Sequence, residues 1–166
     1  MLVGEIINGR LVTPPRPAPK HAVASSILGY ELQGPFDRGR SGPGGWWILD
    51  EPEIHIGSDS LVPDIAGWRR ERMSIRPKAA WFDLAPDWLC DSSHPPPPVW
   101  IGWKNCRSML AGVENVWLVD PDLRTLEAFE NVDGRWLLIT TLKDDDAVGL
   151  APFDAISFSL GGLWAD

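Results

Sequence analysis

Two aspartates stand where the sequence could do chemistry. Asp64 follows Pro63 inside the apolar run Leu61-Val-Pro-Asp-Ile-Ala66, and Asp91 closes the segment Asp87-Trp-Leu-Cys-Asp91. A carboxylate in such a run is costly to bury without a partner or a metal. Two acids delivered from neighbouring strands supply the hard oxygen donors that hold a divalent cation. A phosphodiester hydrolysed at such a cation also gains from a lysine that orients water or steadies developing charge. Lysine is scarce here, at positions 20, 78, 104 and 143 only, so the loss of one would matter. Plainer readings compete. Pro-Asp occurs three times, at 63–64, 86–87 and 121–122, and Asp91-Ser-Ser can simply cap a strand end. No pair of His21, His55 and His94 has metal-ligand spacing, so each defaults to a structural or surface role, and no Ser-His-Asp or Cys-His arrangement stands out.

The elements that must position these acids are legible in outline. Asn8-Gly9 between Glu5-Ile-Ile7 and Arg10-Leu-Val12 predicts a hairpin. The run 13–20 is proline-rich and extended. Val23, Ala24, Ile27, Leu28 and Leu32 recur at the spacing of one helix face, predicting a helix over Pro19 to Leu32 that Gly34-Pro35 stops. The glycines of 38–45 do not follow a strand and open a helix, which argues against a phosphate loop. Strands are expected over Trp46–Ile56 and, after a Ser58-Asp-Ser60 turn, over Leu61–Trp68. Trp88–Cys90 and Val116–Val119 follow, then a hairpin of Thr125–Phe129 with Trp136–Thr141 around Asp133-Gly134. Asp144-Asp-Asp146 reads as a solvated turn, and Ile156–Leu160 is expected to close the sheet. This order implies a mixed α/β or α+β domain with a central sheet.

Composition bounds the rest. The 166 residues suit one domain, 1–166, and 44% apolar with 23% charged residues is an ordinary globular balance. The formal net charge of -8 argues against a sequence-independent nucleic-acid coater. It does not exclude a nuclease, whose carboxylates surround a cation that offsets them. No apolar run reaches the roughly 18–20 residues of a membrane span, and Met1-Leu-Val-Gly-Glu5 does not read as a signal peptide. Cys90 and Cys106 lack metal-ligand spacing and point to a reducing compartment, read as cytoplasmic.

Six segments form a recognisable series: Glu5–Val12, Pro15–His21, Gly44–Gly57, Leu61–Met73, Ala85–Cys90 and Gly112–Pro121. Together they resemble the Uma-type restriction endonuclease family of the PD-(D/E)XK nuclease superfamily, over nearly the whole chain. The resemblance starts at the first hairpin, without the short helical segment that members usually carry before it. The resemblance implies a restriction-endonuclease-like central mixed sheet flanked by helices, with Mg2+ (Mn2+ as the alternative) as cofactor and DNA as partner. It implies Asp64 as a metal ligand and, more weakly, Glu5 as a further acid and His21 as a common histidine. A homodimer follows by analogy with the superfamily alone.

The resemblance stops after Cys90 and resumes at Gly112. There the family carries Glu-x-Leu-Ser-Pro-Ser-Thr and then Asp-Arg-x-x-Lys-x-x-x-Tyr-Ala on a helix, which supply the second metal ligand and the lysine. This chain instead has Asp91-Ser-Ser-His, four prolines, and Trp100-Ile-Gly-Trp-Lys-Asn-Cys106. Four prolines in a row form neither a helix nor a central strand. Read one nucleotide earlier, the codons of Trp100-Ile101 force Asp, those of Trp103-Lys104 force Glu and those of Asn105-Cys106 force Leu. One permitted translation, Leu-Asp-Arg-Val-Glu-Lys-Leu-Pro-Val-Tyr-Ala, contains the absent motif. Two compensating frameshifts, near Asp91 and near Ala111, would account for the segment. With the chain as written, Asp91 and Lys104 are the stand-ins for the second ligand and the lysine, and weak or absent cleavage is expected. The alternatives are a non-catalytic binding or interaction domain that keeps the nuclease fold, and a non-functional gene product.

Overall fold

The computed structural model describes residues 4–13, 18–92 and 112–164. The chain pairs β1 (Glu5–Ile7) with β2 (Arg10–Val12) in the expected hairpin. Asn8 and Gly9 sit at φ 51° and 74°, the left-handed pair that two-residue hairpins require. Replacing Gly9 by alanine should cost about 1–2 kcal/mol through that positive φ alone, read as a lowered melting temperature, because a Cβ there would meet nothing within 4 Å.

Helix α1 (Pro19–Leu32) runs over the predicted residues, with Pro19 in its first turn. Its buried face is His21, Ala24, Leu28, Gly29 and Leu32, whereas Val23 is exposed. A Cβ on Gly29 would lie 3.2 Å from Asp50 Oδ1, so the missing side chain lets the helix lie close on the sheet. Gly34-Pro35 does not stop the chain outright. The helix widens into a π-turn over Gln33–Asp37, in which Arg38 N donates to Gln33 O at 2.9 Å. A proline removes a donor and crowds the carbonyl four residues back, and the wider turn accommodates both effects.

The strand expected over Trp46–Ile56 is two strands in different sheets. β3 (Trp46–Asp50) and β4 (Ile54–Ile56) part at Glu51-Pro52, where Glu51 has φ 46°. The returning strand is split likewise into β5 (Asp59–Leu61) and β6 (Ile65–Arg69) at Pro63-Asp64. The expected Ser58–Ser60 turn therefore lies earlier, at Gly57-Ser58, and Asp59-Ser60 already belong to β5. β7 (Trp88–Asp91), β8 (Asn115–Asp120), β9 (Thr125–Val132) and β10 (Arg135–Lys143) extend the predicted strands by a few residues.

The large sheet has the order β10-β9-β8-β7-β6-β3, antiparallel except for the parallel β7–β8 pair. This is the central mixed sheet expected. A smaller sheet, β2-β1-β5-β4, accompanies it. The terminal segment does not join the large sheet. Phe158–Ser159 (β12) pairs only with Ala147–Val148 (β11), and Leu160–Trp164 form a 3-10 turn.

Two cores follow from strand alternation. Ala24, Leu28 and Leu32 of α1 meet Ile48, Ile65, Trp88 and Trp117 on one face of the large sheet. On the other face Ala66, Trp68, Leu89, Val116 and Phe129 meet Ile7, Ile54 and Leu61 of the small sheet. Phe153 sits at the centre of the first core, 4.6–5.7 Å between ring centroids from Phe36, Trp46, Trp88 and Trp117. Among the described residues no helix is long and apolar enough to cross a membrane.

Candidate functional site

The break between β5 and β6 builds the site. Asp64 lies in the bend, and its carbonyl accepts from Glu51 N at 2.9 Å, which carries the β3–β6 ladder one step past Asp50–Ile65. On the other side, β6 pairs with β7 through Ile65–Cys90. One step further along that antiparallel register, Asp64 stands opposite Asp91. Like charges facing each other across a ladder destabilise it unless something offsets them.

The Asp64 side chain is held in place. Ser92 N donates to Asp64 Oδ2 at 2.6 Å, and the Ser92 hydroxyl donates to the same oxygen at 2.5 Å. Ser25 Oγ lies 2.6 Å from Ser92 Oγ and 3.3 Å from Asp64 Oδ2, linking helix α1 to the site. One turn earlier on the helix, buried His21 places Nδ1 against the Ser92 carbonyl, so Nδ1 carries the proton. Its Nε2 faces Asp122 at 3.8 Å, and Asp122 also pairs with Lys20. The network fastens one oxygen of Asp64 and leaves Oδ1 without a hydrogen bond from the described residues.

Cys90, between the two acids in sequence and space, is fully buried. Burial first, and then the negative charges of Asp64 and Asp91, push its thiol well above the usual 9.0. A thiol raised in this way stays neutral and inert. Iodoacetamide should leave Cys90 unmodified in the folded chain at neutral pH and label it once the chain unfolds, as read by peptide mass mapping. The sign of the linkage is fixed. A raised folded value contributes stability that is present below pH 9.0 and is lost as pH rises beyond it.

The structure thus sets Asp64 and Asp91 at the same end of the paired strands β6 and β7, both acting on Cys90. Glu5 is 3% exposed on β1, and its Oε1 accepts from Val62 N at 2.9 Å, two residues before Asp64. Lys104, His94 and nearly all of the divergent stretch 91–111 lie outside the described residues. His55 is a surface side chain, as expected, 2.6 Å from Glu53 Oε1 and stacked on Trp81. Sequence reasoning did not single out Ser25 or Ser92. The i, i+4 spacing of His21 and Ser25 on the helix was the one available signal.

The donor chemistry suits a small hard cation. Among the described residues no three His, Cys, Asp or Glu side chains form a metal-holding group. Mg2+ commonly takes only one or two protein carboxylates and fills its octahedron with water and phosphate oxygens. Asp64 and Asp91 fit that demand.

No family model matches the sequence, and no curated protein is similar to it. Among solved structures the chain is similar to a crystal structure from Anabaena variabilis ATCC 29413 described as "a putative nuclease belonging to DUF820". The two share 21% identity at a TM-score of 0.76, over 97% of this chain and 89% of the other. At that identity the likeness establishes a common fold, in agreement with the mixed sheet described above.

Proposed function

We propose that the chain is a metal-dependent DNA endonuclease domain of the PD-(D/E)XK kind whose activity in this copy is weak. The observation that carries this reading is that Asp64, in the bend leading into β6, and Asp91, at the end of the neighbouring β7, both lie close enough to act on Cys90, with Asp64 oriented by Ser92 and Ser25. The nuclease description of a protein with the same fold agrees with it.

In this reading Asp64 and Asp91 hold Mg2+, or Mn2+ in its place. The cation, when bound, polarises the phosphodiester and acidifies a water. The residues of the chain do the positioning. Ser92 N and the two hydroxyls hold Asp64 Oδ2 in one orientation, so Oδ1 would be the oxygen available to a cation. Asp91 serves in place of a glutamate one methylene longer. Lys104 is the candidate for steadying developing charge. Misplacement of such groups by about 1 Å can cost on the order of 100-fold in rate, which is why weak cleavage is expected. The two-frameshift reading of 91–111 belongs to the same proposal, and the nucleotide sequence across codons 88 to 114 tests it. Codons incompatible with the shifted translation sink that part.

A second reading, a binding domain that keeps the fold without cleavage, is favoured by one observation: the described residues offer two carboxylates and no third ligand. Calorimetry with Mg2+ alongside a plasmid-nicking assay separates the readings. Mg2+ binding with slow, metal-dependent nicking supports the endonuclease. Absence of Mg2+ binding supports the second reading, and binding with no nicking at any metal concentration removes the claim of cleavage.

A further inference from the structure

Strand β10 closes one side of the large sheet, and nothing among the described residues pairs with its outer edge. It is nine residues long, a long edge for a sheet to leave open. From Trp136 to Leu142 it carries no charge. Leu137, Leu138 and Ile139 are 55%, 47% and 51% exposed. Charges occur only at its ends: Asp133 and Arg135 at one, Lys143 and Asp144 at the other, all exposed. None of these four side chains makes a salt bridge among the described residues.

A bulge decides what can fit this edge. Pairing with β9 jumps from Leu138–Phe129 to Thr140–Ala128, so Ile139 has no partner and the side-chain alternation shifts by one. Leu137 therefore shares the helix-bearing face with Leu142, which packs against the first core. Leu138 and Thr141 share the other face with Phe129 and Glu127.

We infer that a second copy of this chain adds its β10 antiparallel to this edge about a two-fold axis, making one continuous sheet. Opposed residues must share a face. The register that centres Ile139 on itself would set Leu137 against the partner's Thr141, on the wrong face. One step in one direction sets Asp133 against the partner's Asp144, two acids. One step in the other direction sets Arg135 against the partner's Asp144 and Leu137 against the partner's Leu142. Of these three registers the last alone satisfies both faces and charges, and the two-fold makes each contact twice. The self-complementarity of the edge is what selects a second copy over an unrelated strand. The inference is independent of the metal site.

Sedimentation equilibrium of the full chain tests it, with hydrogen exchange as a second readout. The expected mass is twice the 18.4 kDa of the chain, with β10 amides protected at high concentration and released on dilution. Arg135→Glu, at an exposed position, should weaken the dimer at least about tenfold by turning two attractions into repulsions, with circular dichroism unchanged. Ile139→Lys should give monomers. A chain that stays monomeric at all concentrations overturns the inference. So does a dimer indifferent to both substitutions, or open-ended aggregation in place of a dimer.

Discussion

Replacing Asp64 with alanine should remove Mg2+ binding and with it any cleavage. Losing a partner that merely orients a metal ligand typically lowers affinity 10- to 100-fold, so losing a ligand should cost more than about 100-fold. The substitution also separates a ligand from a structural residue. In the absence of metal, alanine deprives Ser92 N and the two hydroxyls of an acceptor, and it also relieves the repulsion between Asp64 and Asp91. These effects oppose each other, so the metal-free melting temperature should change little. The difference should appear on adding metal. The wild-type chain should gain about 2.7 kcal/mol at 100 times the dissociation constant, whereas the alanine variant should gain nothing. Asp64→Asn keeps the shape and one acceptor oxygen but not the charge, and should behave like alanine toward metal. A wild-type melting temperature unmoved by Mg2+ would remove the premise.

The first acid of this site was legible because the sequence shows a carboxylate inside an apolar run, which is costly without compensation. The network around it was not. Ser25 and Ser92 are 67 positions apart, and their hydroxyls meet only because α1 lies across the end of β6 and β7. No local pattern encodes that docking. Element types and most centres were readable from periodicity and turn chemistry, as at Asn8-Gly9 and over Pro19–Leu32. The failures share a cause. At Glu51-Pro52 and Pro63-Asp64 one apolar run feeds two sheets, and a run cannot show which sheet each half joins. Ile156–Leu160 had a strand's composition, but Leu160 turns into the core beside Phe153 instead.

Three identical Pro-Asp dipeptides show where sequence reasoning ends and three-dimensional placement begins, and the second of them carries the largest stability effect expected here. Asp122 is surface-paired with Lys20, Asp64 stands opposite another acid, and Asp87 is fully buried. Asp87 Oδ1 accepts from Arg69 Nη1 at 3.0 Å and forms an ion pair with Arg72 Nη1 at 2.8 Å, and Oδ2 accepts from Arg69 N at 2.8 Å. Its own backbone donates to Gly67 O and accepts from Glu114 N and Asn115 N. One residue thus ties the end of β6 to the starts of β7 and β8, at the opposite end of these strands from Asp64 and Asp91. Removing one partner of a buried pair costs about 3–5 kcal/mol because a charge is left unmatched. Both arginine side chains are about a third exposed (30% and 34%) and can rehydrate, so Asp87→Ala should sit near the lower end, roughly 3 kcal/mol. For a chain of this size that is a fall of about 6–12 °C in melting temperature. Asp87→Asn, which keeps an acceptor, should lose less. If the two Pro-Asp aspartates have the separate roles assigned to them, Asp87→Ala will weaken the fold yet keep the Mg2+-induced stabilisation, whereas Asp64→Ala will keep the fold and lose it. The double variant should show both losses, additive because the two sites lie at opposite ends of the same strands. Loss of the metal response in Asp87→Ala while the chain is still folded would mean that the register of β6 and β7, rather than Asp64 itself, is what the site depends on.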